Sequence, residues 1–152
     1  MAASHCVVRD EGKNVDSKYF IDTDGSLVRV QVWGELRAHD LIKLMRSIGA
    51  DPRHRPDMGA IIDLREAHGH WDYSEIQRLR DYAVRIANPH HQRRWAAIVS
   101  PGTLVAAAHV FIVISEQVAG SIRMQLFDDV QSALRWVQGA RIEQDAAVAT
   151  VD

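Results

Sequence analysis

The residues best equipped for chemistry stand together in one stretch, Arg65-Glu66-Ala67-His68-Gly69-His70-Trp71-Asp72-Tyr73-Ser74. His68 and His70, with Glu66 or Asp72, offer the nitrogen and oxygen ligands that zinc or a similar ion takes, and a metal with an open position there would make a hydrolase. The spacing does not favour it. An isolated His-X-His is common, and no helical His-X-X-X-His or second cluster fixes a geometry. No metal and no other cofactor is expected, and a polar surface loop is the preferred reading. Ser74 has two readings. As an N-cap, with Gln77 at capping-box spacing, its hydroxyl satisfies an otherwise unpaired helix N–H. As a phosphosite it would set a dianion at a helix N-terminus, where the dipole favours negative charge. The cap reading needs no partner and is preferred.

Other catalytic chemistries lack their motifs. No Gly-X-Ser-X-Gly elbow, no Gly-X-Gly-X-X-Gly and no Gly-Lys-Ser/Thr string occurs, and the lone Cys6 forms no intramolecular disulfide. An enzyme is therefore not expected. The net charge of −2 gives no overall field for a nucleic acid or an anionic membrane, so neither is expected as a partner. Two basic stretches, Arg53-His54-Arg55 and His90-His91-Gln92-Arg93-Arg94, each flank a strand start at the end of the sheet opposite the His68 loop. Without a stacking platform beside them, both read as a solvated rim.

The elements that must position these residues follow from periodicity. Lys18 to Thr23 and Ser26 to Trp33 alternate apolar and polar about an Asp22-Thr23-Asp24-Gly25 turn, which predicts a hairpin. Leu36, Leu41, Leu44, Met45 and Ile48 recur at helical spacing up to Gly49 and Asp51-Pro52. Met58 to Leu64 is a short, nearly continuous apolar run, the pattern of a strand covered on both faces. Ile76, Leu79, Ala83 and Ile86 mark a second helix from Ser74, and Trp95 to Val99 another strand. His109 to Ile114 has strand propensity, yet the whole stretch Thr103 to Val118 is long for a strand and opens with Leu-Val-Ala-Ala-Ala, which favours helix. Ile122 to Phe127 alternates as a strand, and Asp128 to Val137 forms a last helix stopped by Gly139. The order is ββαβαβαβα, an α/β chain with a mixed five-stranded sheet and four helices.

A length of 152 residues with 47% hydrophobic and 25% charged suits one globular core. Residues 1–16, with Val7-Val8 as their apolar pair between charged neighbours, read as a flexible N-terminal arm and not as a signal peptide. Residues 17–139 form the domain and 140–152 a frayed C-terminal tail. With no sign of secretion and no apolar run near the ~20 residues a membrane span needs, the cytoplasm is the expected location.

The third helix is the physical anomaly. Leu104, Ala108, Phe111 and Ile112 fall on one side, while Val110, Val113 and Ile114 spread the apolar surface well beyond a single stripe. A fully internal helix is hard to reach in a domain of this size. Val110, Val113 and Ile114 are therefore read first as a homodimer contact and second as the wall of an apolar-ligand cleft.

Several strings carry a resemblance. They are Val32-Trp33-Gly34-Glu35-Leu36, Asp51-Pro52-Arg53, Ile62-Asp63-Leu64-Arg65, Tyr73-Ser74-Glu75-Ile76, Val99-Ser100-Pro101-Gly102, and Leu126-Phe127-Asp128-Asp129 with Ala133-Leu134-Arg135-Trp136-Val137. Together they resemble the SpoIIAA-like family of STAS domains, in its STAS-like or CRAL-TRIO-like bacterial branch, over Tyr19 to Gly139. The resemblance implies a SpoIIAA-like fold and a binding module, not an enzyme. In the anti-sigma-factor antagonists of that family a phosphorylatable Ser opens the helix after the central strand. Ser74 stands at the matching place, but with Tyr73 before it, Glu75 after it and no glycine. The expected function is a non-catalytic STAS-like binding or regulatory module that dimerises or takes a protein partner. A small apolar-ligand or lipid-binding protein is the alternative, and a metal-dependent hydrolase at His68 and His70 the weaker one.

Overall fold

The computed structural model describes residues 5–9, 15–88, 90–116 and 122–139. Six strands, β1 (His5–Arg9), β2 (Val15–Asp22), β3 (Leu27–Glu35), β4 (Gly59–His68), β5 (Arg93–Ile98) and β6 (Ile122–Phe127), form one sheet in chain order. The helices are α1 (Ala38–Ala50), α2 (Tyr73–Ile86), α3 (Thr103–Glu116) and α4 (residues 130–139). Pairing is antiparallel from β1 to β3 and parallel from β3 to β6, so the sheet is mixed. The five expected strands and four expected helices are all present, and Thr103–Glu116 is helical as its length argued.

The departure is β1. Residues 5–9 and 15–16 were expected in a loose arm, yet His5–Arg9 pairs antiparallel with β2 and residues 15–16 begin β2 itself. A five-residue edge strand has too few alternating positions to show a period, and its partner decides its conformation. Residues 1–4 and 10–14 of that arm, and the 140–152 tail, lie outside the described residues.

The two sheet faces are covered unequally. Tyr19, Ile21, Val28, Val30 and Val32 from β2 and β3 pack with Leu41, Leu44 and Ile48 of α1 and Leu79 of α2. Leu27, Ile61, Ala96 and Ile98 face the other way and pack on Ala133 and Val137 of α4. The placement follows from connectivity. Parallel neighbours in sequential order, joined by crossovers of one hand, put α1, α2 and α3 on the same face and leave only the helix after the last strand for the other.

The β2–β3 turn carries out its sequence signal. The Gly25 N–H donates to Asp22 Oδ1 at 2.9 Å, and a Cβ at Gly25 would come within 2.5 Å of that carboxylate. Ser26 takes the positive φ of 55° that closes the turn.

Candidate functional site

The carboxyl ends of β3 and β4 are tied together through Leu36. Leu36 N–H donates to His68 O at 2.8 Å, and Trp71 Nε1 donates to Leu36 O at 2.7 Å. Gly69 passes so close to that knot that a Cβ there would lie 2.5 Å from Leu36 O. The β4–α2 connection is therefore fastened to the β3–α1 connection, and Trp71 serves as a latch. The stretch from Arg65 is not a loop throughout, since β4 continues to His68.

A register shift in β4 decides where its chemistry faces. Gln31 pairs with Asp63 but Trp33 with Glu66, so two residues of β4, Leu64 and Arg65, stand opposite the single Val32. An extra residue reverses the alternation beyond it. Glu66 and His68 thus share the face of Asp63 and Trp33, and both are exposed, while Ala67 turns back to the core. Arg65 grips Asp63 through Nε at 3.0 Å and Nη2 at 2.8 Å, and this pairing holds the Asp63 carboxyl below its ordinary value.

The helix start differs from the expected one. Asp72, not Ser74, is the N-cap of α2: its carboxylate accepts the Glu75 N–H at 2.8 Å. Ser74 lies inside the helix and donates its hydroxyl to the same oxygen at 2.8 Å. These two bonds lower the Asp72 carboxyl from its ordinary value. A carboxylate accepts more strongly than a hydroxyl and interacts better with the helix dipole, which is why Asp72 takes the cap. Ser74 with Gln77 mimicked the capping-box spacing two residues late. Glu75, 6% exposed, is drawn in and paired with Arg37 Nε at 2.9 Å, joining the start of α1 to the start of α2.

The side chains of Glu66, His68, His70 and Asp72 do not assemble as ligands. Among the described residues no group of three or more His, Cys, Asp or Glu side chains is arranged to hold a metal ion. Ligand crevices of open α/β sheets form where the strand order reverses, and strands β3 to β6 run in sequence without reversing.

The α3 face is as anomalous as its sequence. Leu104 and Ala107 are buried against the sheet, while Val110 is 39% and Val113 59% exposed. Ala106 and His109 are exposed beside them, so 106, 109, 110 and 113 form one solvent-facing stripe without a carboxylate, lysine or arginine. The Ile114 side chain and Val118 lie outside the described residues. Among the described residues no helix is long and apolar enough to cross a membrane.

The amino ends of the parallel strands hold what sequence reasoning missed. Arg93, read as part of a solvated rim, is 7% exposed at the first position of β5. Its Nη1 donates to Pro56 O and its Nη2 to Ile86 O, both at 3.0 Å, and its guanidinium lies 5.1 Å from the Trp95 ring centroid. Burial lowers the Arg93 guanidinium from its ordinary value. It lines a cavity of about 260 Å3 between α1, α2 and the sheet, together with His54. Burial, and secondarily the Arg93 charge, lowers the His54 imidazole from its ordinary value. The other basic residues of these stretches have structural work: Arg53 pairs with Asp51 at 2.7 Å, and Arg94 Nη1 donates to Trp136 O at 2.8 Å. The available signal for Arg93 was its place two residues before Trp95, on the same side of the strand, masked by His90, His91 and Gln92 ahead of it.

No protein-family model and no curated protein matches the chain. Among solved structures, the chain is similar to an uncharacterized protein from the DUF3478 family with a SpoIIAA-like fold from Shewanella loihica PV-4. The two share 17% identity with a TM-score of 0.48, over 88% of this chain and 92% of that one. The α/β assignment itself stands on strand order and register.

Proposed function

We propose that this chain is a non-catalytic, STAS-like binding module of the cytoplasm that associates with a second copy of itself through α3. The observation that carries the reading is the exposed stripe of Val110 and Val113 on a helix whose opposite side, Leu104 and Ala107, is already buried in the sheet core. A two-fold contact brings the same stripe of two copies together, so that Ala106 lets the helices approach and the β-branched valines interlock. Removing both valines from water on each copy supplies a hydrophobic gain of roughly 25 cal/mol per Å2 buried. A regulatory role fits such a module, because a competing partner with its own apolar helix would displace the second copy.

Sedimentation equilibrium on the whole chain tests this. The expected result is a dimer that Val113→Asp converts to a folded monomer, because a carboxylate facing its own symmetry mate is desolvated without a counter-charge. A strict monomer across the micromolar range, or a dimer unaffected by Val113→Asp, overturns the reading.

A further inference from the structure

Among the described residues, the buried Arg93 is a cation without a counter-ion. Its two Nη donors are taken by main-chain carbonyls, and its Nε, fully buried, has no hydrogen-bond partner. Neither nearby acid compensates it: Asp51 is held by Arg53 and accepts the Tyr19 hydroxyl at 3.0 Å, and Asp57 turns to Arg55 at the surface. Capping the last carbonyl of α2 accounts for Nη2, and tying down the 51–58 connection accounts for Nη1. Neither accounts for an arginine charge and an Nε–H left unpaired away from water, each of which is costly.

The space beside that guanidinium is apolar. Val30, Leu44, Met45, Ile48 and Ile62 wall the cavity together with Arg93 and His54. The Tyr82 ring, which also lines it, has Arg46 at 5.6 Å and Arg85 at 5.8 Å from its centroid, so further positive charge stands nearby. An aliphatic chamber with a lone buried cation in its wall has the chemistry of a site for an amphiphilic anion.

We propose that the cavity beneath α1 and α2 binds a medium-chain aliphatic monocarboxylate, its tail among Val30, Leu44, Met45, Ile48 and Ile62 and its carboxylate beside the Arg93 guanidinium. A volume of about 260 Å3 gives room for an aliphatic chain of medium length. The carboxylate supplies the missing counter-charge. The site lies at the amino ends of the strands, away from the α3 stripe, and does not depend on self-association.

Isothermal titration of the whole chain with octanoate, octanol and octylamine tests this. One octanoate should bind per chain, octanol about tenfold or more weakly because the counter-charge is lost, and octylamine not at all. Arg93→Gln should abolish the preference of acid over alcohol. Ala60→Leu, which fills the cavity and leaves Arg93 in place, should weaken octanoate and octanol together. If Arg93→Gln does not fold, the acid-to-alcohol comparison and Ala60→Leu still decide. Absence of saturable octanoate binding, equal binding of octanol, or octanoate binding unchanged by Ala60→Leu overturns the proposal. Each readout is per chain, so it gives the same answer for a monomer or a dimer.

Discussion

Trp71 reaches back 35 residues to donate its indole N–H to the Leu36 carbonyl at 2.7 Å, joining the two connections that leave β3 and β4. Leu36 itself is buried, so its carbonyl finds no ready substitute for that donor. Trp71→Phe keeps the ring and removes the bond. It should cost about 1–3 kcal/mol, the penalty for an unsatisfied buried acceptor, read as a lower urea midpoint at unchanged slope.

Gly69→Ala tests the same knot from its other side. The added Cβ would meet Leu36 O at 2.5 Å and Trp71 Nε1 at 3.3 Å, so the backbone must move. A loss of about 1–3 kcal/mol is expected, as for other overpacked sites. Combined with Trp71→Phe the two losses should be smaller than additive, since both disturb one contact.

The cap of α2 separates Asp72 from Ser74. Asp72→Ala removes the acceptor of the Glu75 N–H and should cost about 1 kcal/mol in thermal or urea unfolding. Ser74→Ala removes an exposed hydroxyl whose one bond is to that same carboxylate, and should cost less than ~0.5 kcal/mol. The reverse ranking would restore Ser74 as the cap.

Arg37→Ala should be worse than its exposed half suggests. It strands Glu75, whose side chain is 8% exposed, without its partner. A destabilisation of about 1–3 kcal/mol is expected, and Glu75→Gln in the same background should recover part of it by removing the unpaired charge. Failure of that double variant to recover stability would show that Glu75 is satisfied by other groups.

Acid stability should report on Asp51. Hydrogen bonds from the Arg53 side chain and main chain, with a smaller one from Tyr19, hold this carboxyl well below the usual carboxylate range. A folded pKa below the unfolded one stabilises the fold at pH above the unfolded value, about 4, and that contribution is lost as pH falls through the folded value. Asp51→Asn should therefore lower the melting temperature at neutral pH and flatten its decline below about pH 4, by differential scanning calorimetry.

The strand and helix order of 17–139 was readable because it rests on local periodicity. The alternation of Leu27 to Trp33, the apolar run at Met58 and the length of Thr103 to Val118 each declare an element without reference to the rest of the chain. The over-apolar α3 was equally readable, because a helix apolar on all sides is a property of the helix alone. Chain ends are different: His5–Arg9 is a strand through its pairing with β2, and no period within five residues announces that.

The sites were decided by neighbours distant in sequence, and there local reading fails. The bulge opposite Val32 chooses the face of Glu66 and His68, and it exists in the register between two strands, not in either alone. Arg93 sits in a basic run that looks solvated, yet it is buried because Pro56, 37 residues earlier, and Ile86 bring their carbonyls to it. By itself the sequence determined which segments are strand and helix and that α3 exposes apolar surface. Only the tertiary structure decided which charges are exposed and which are enclosed, because desolvation depends on what the whole chain packs around a residue and not on that residue's type.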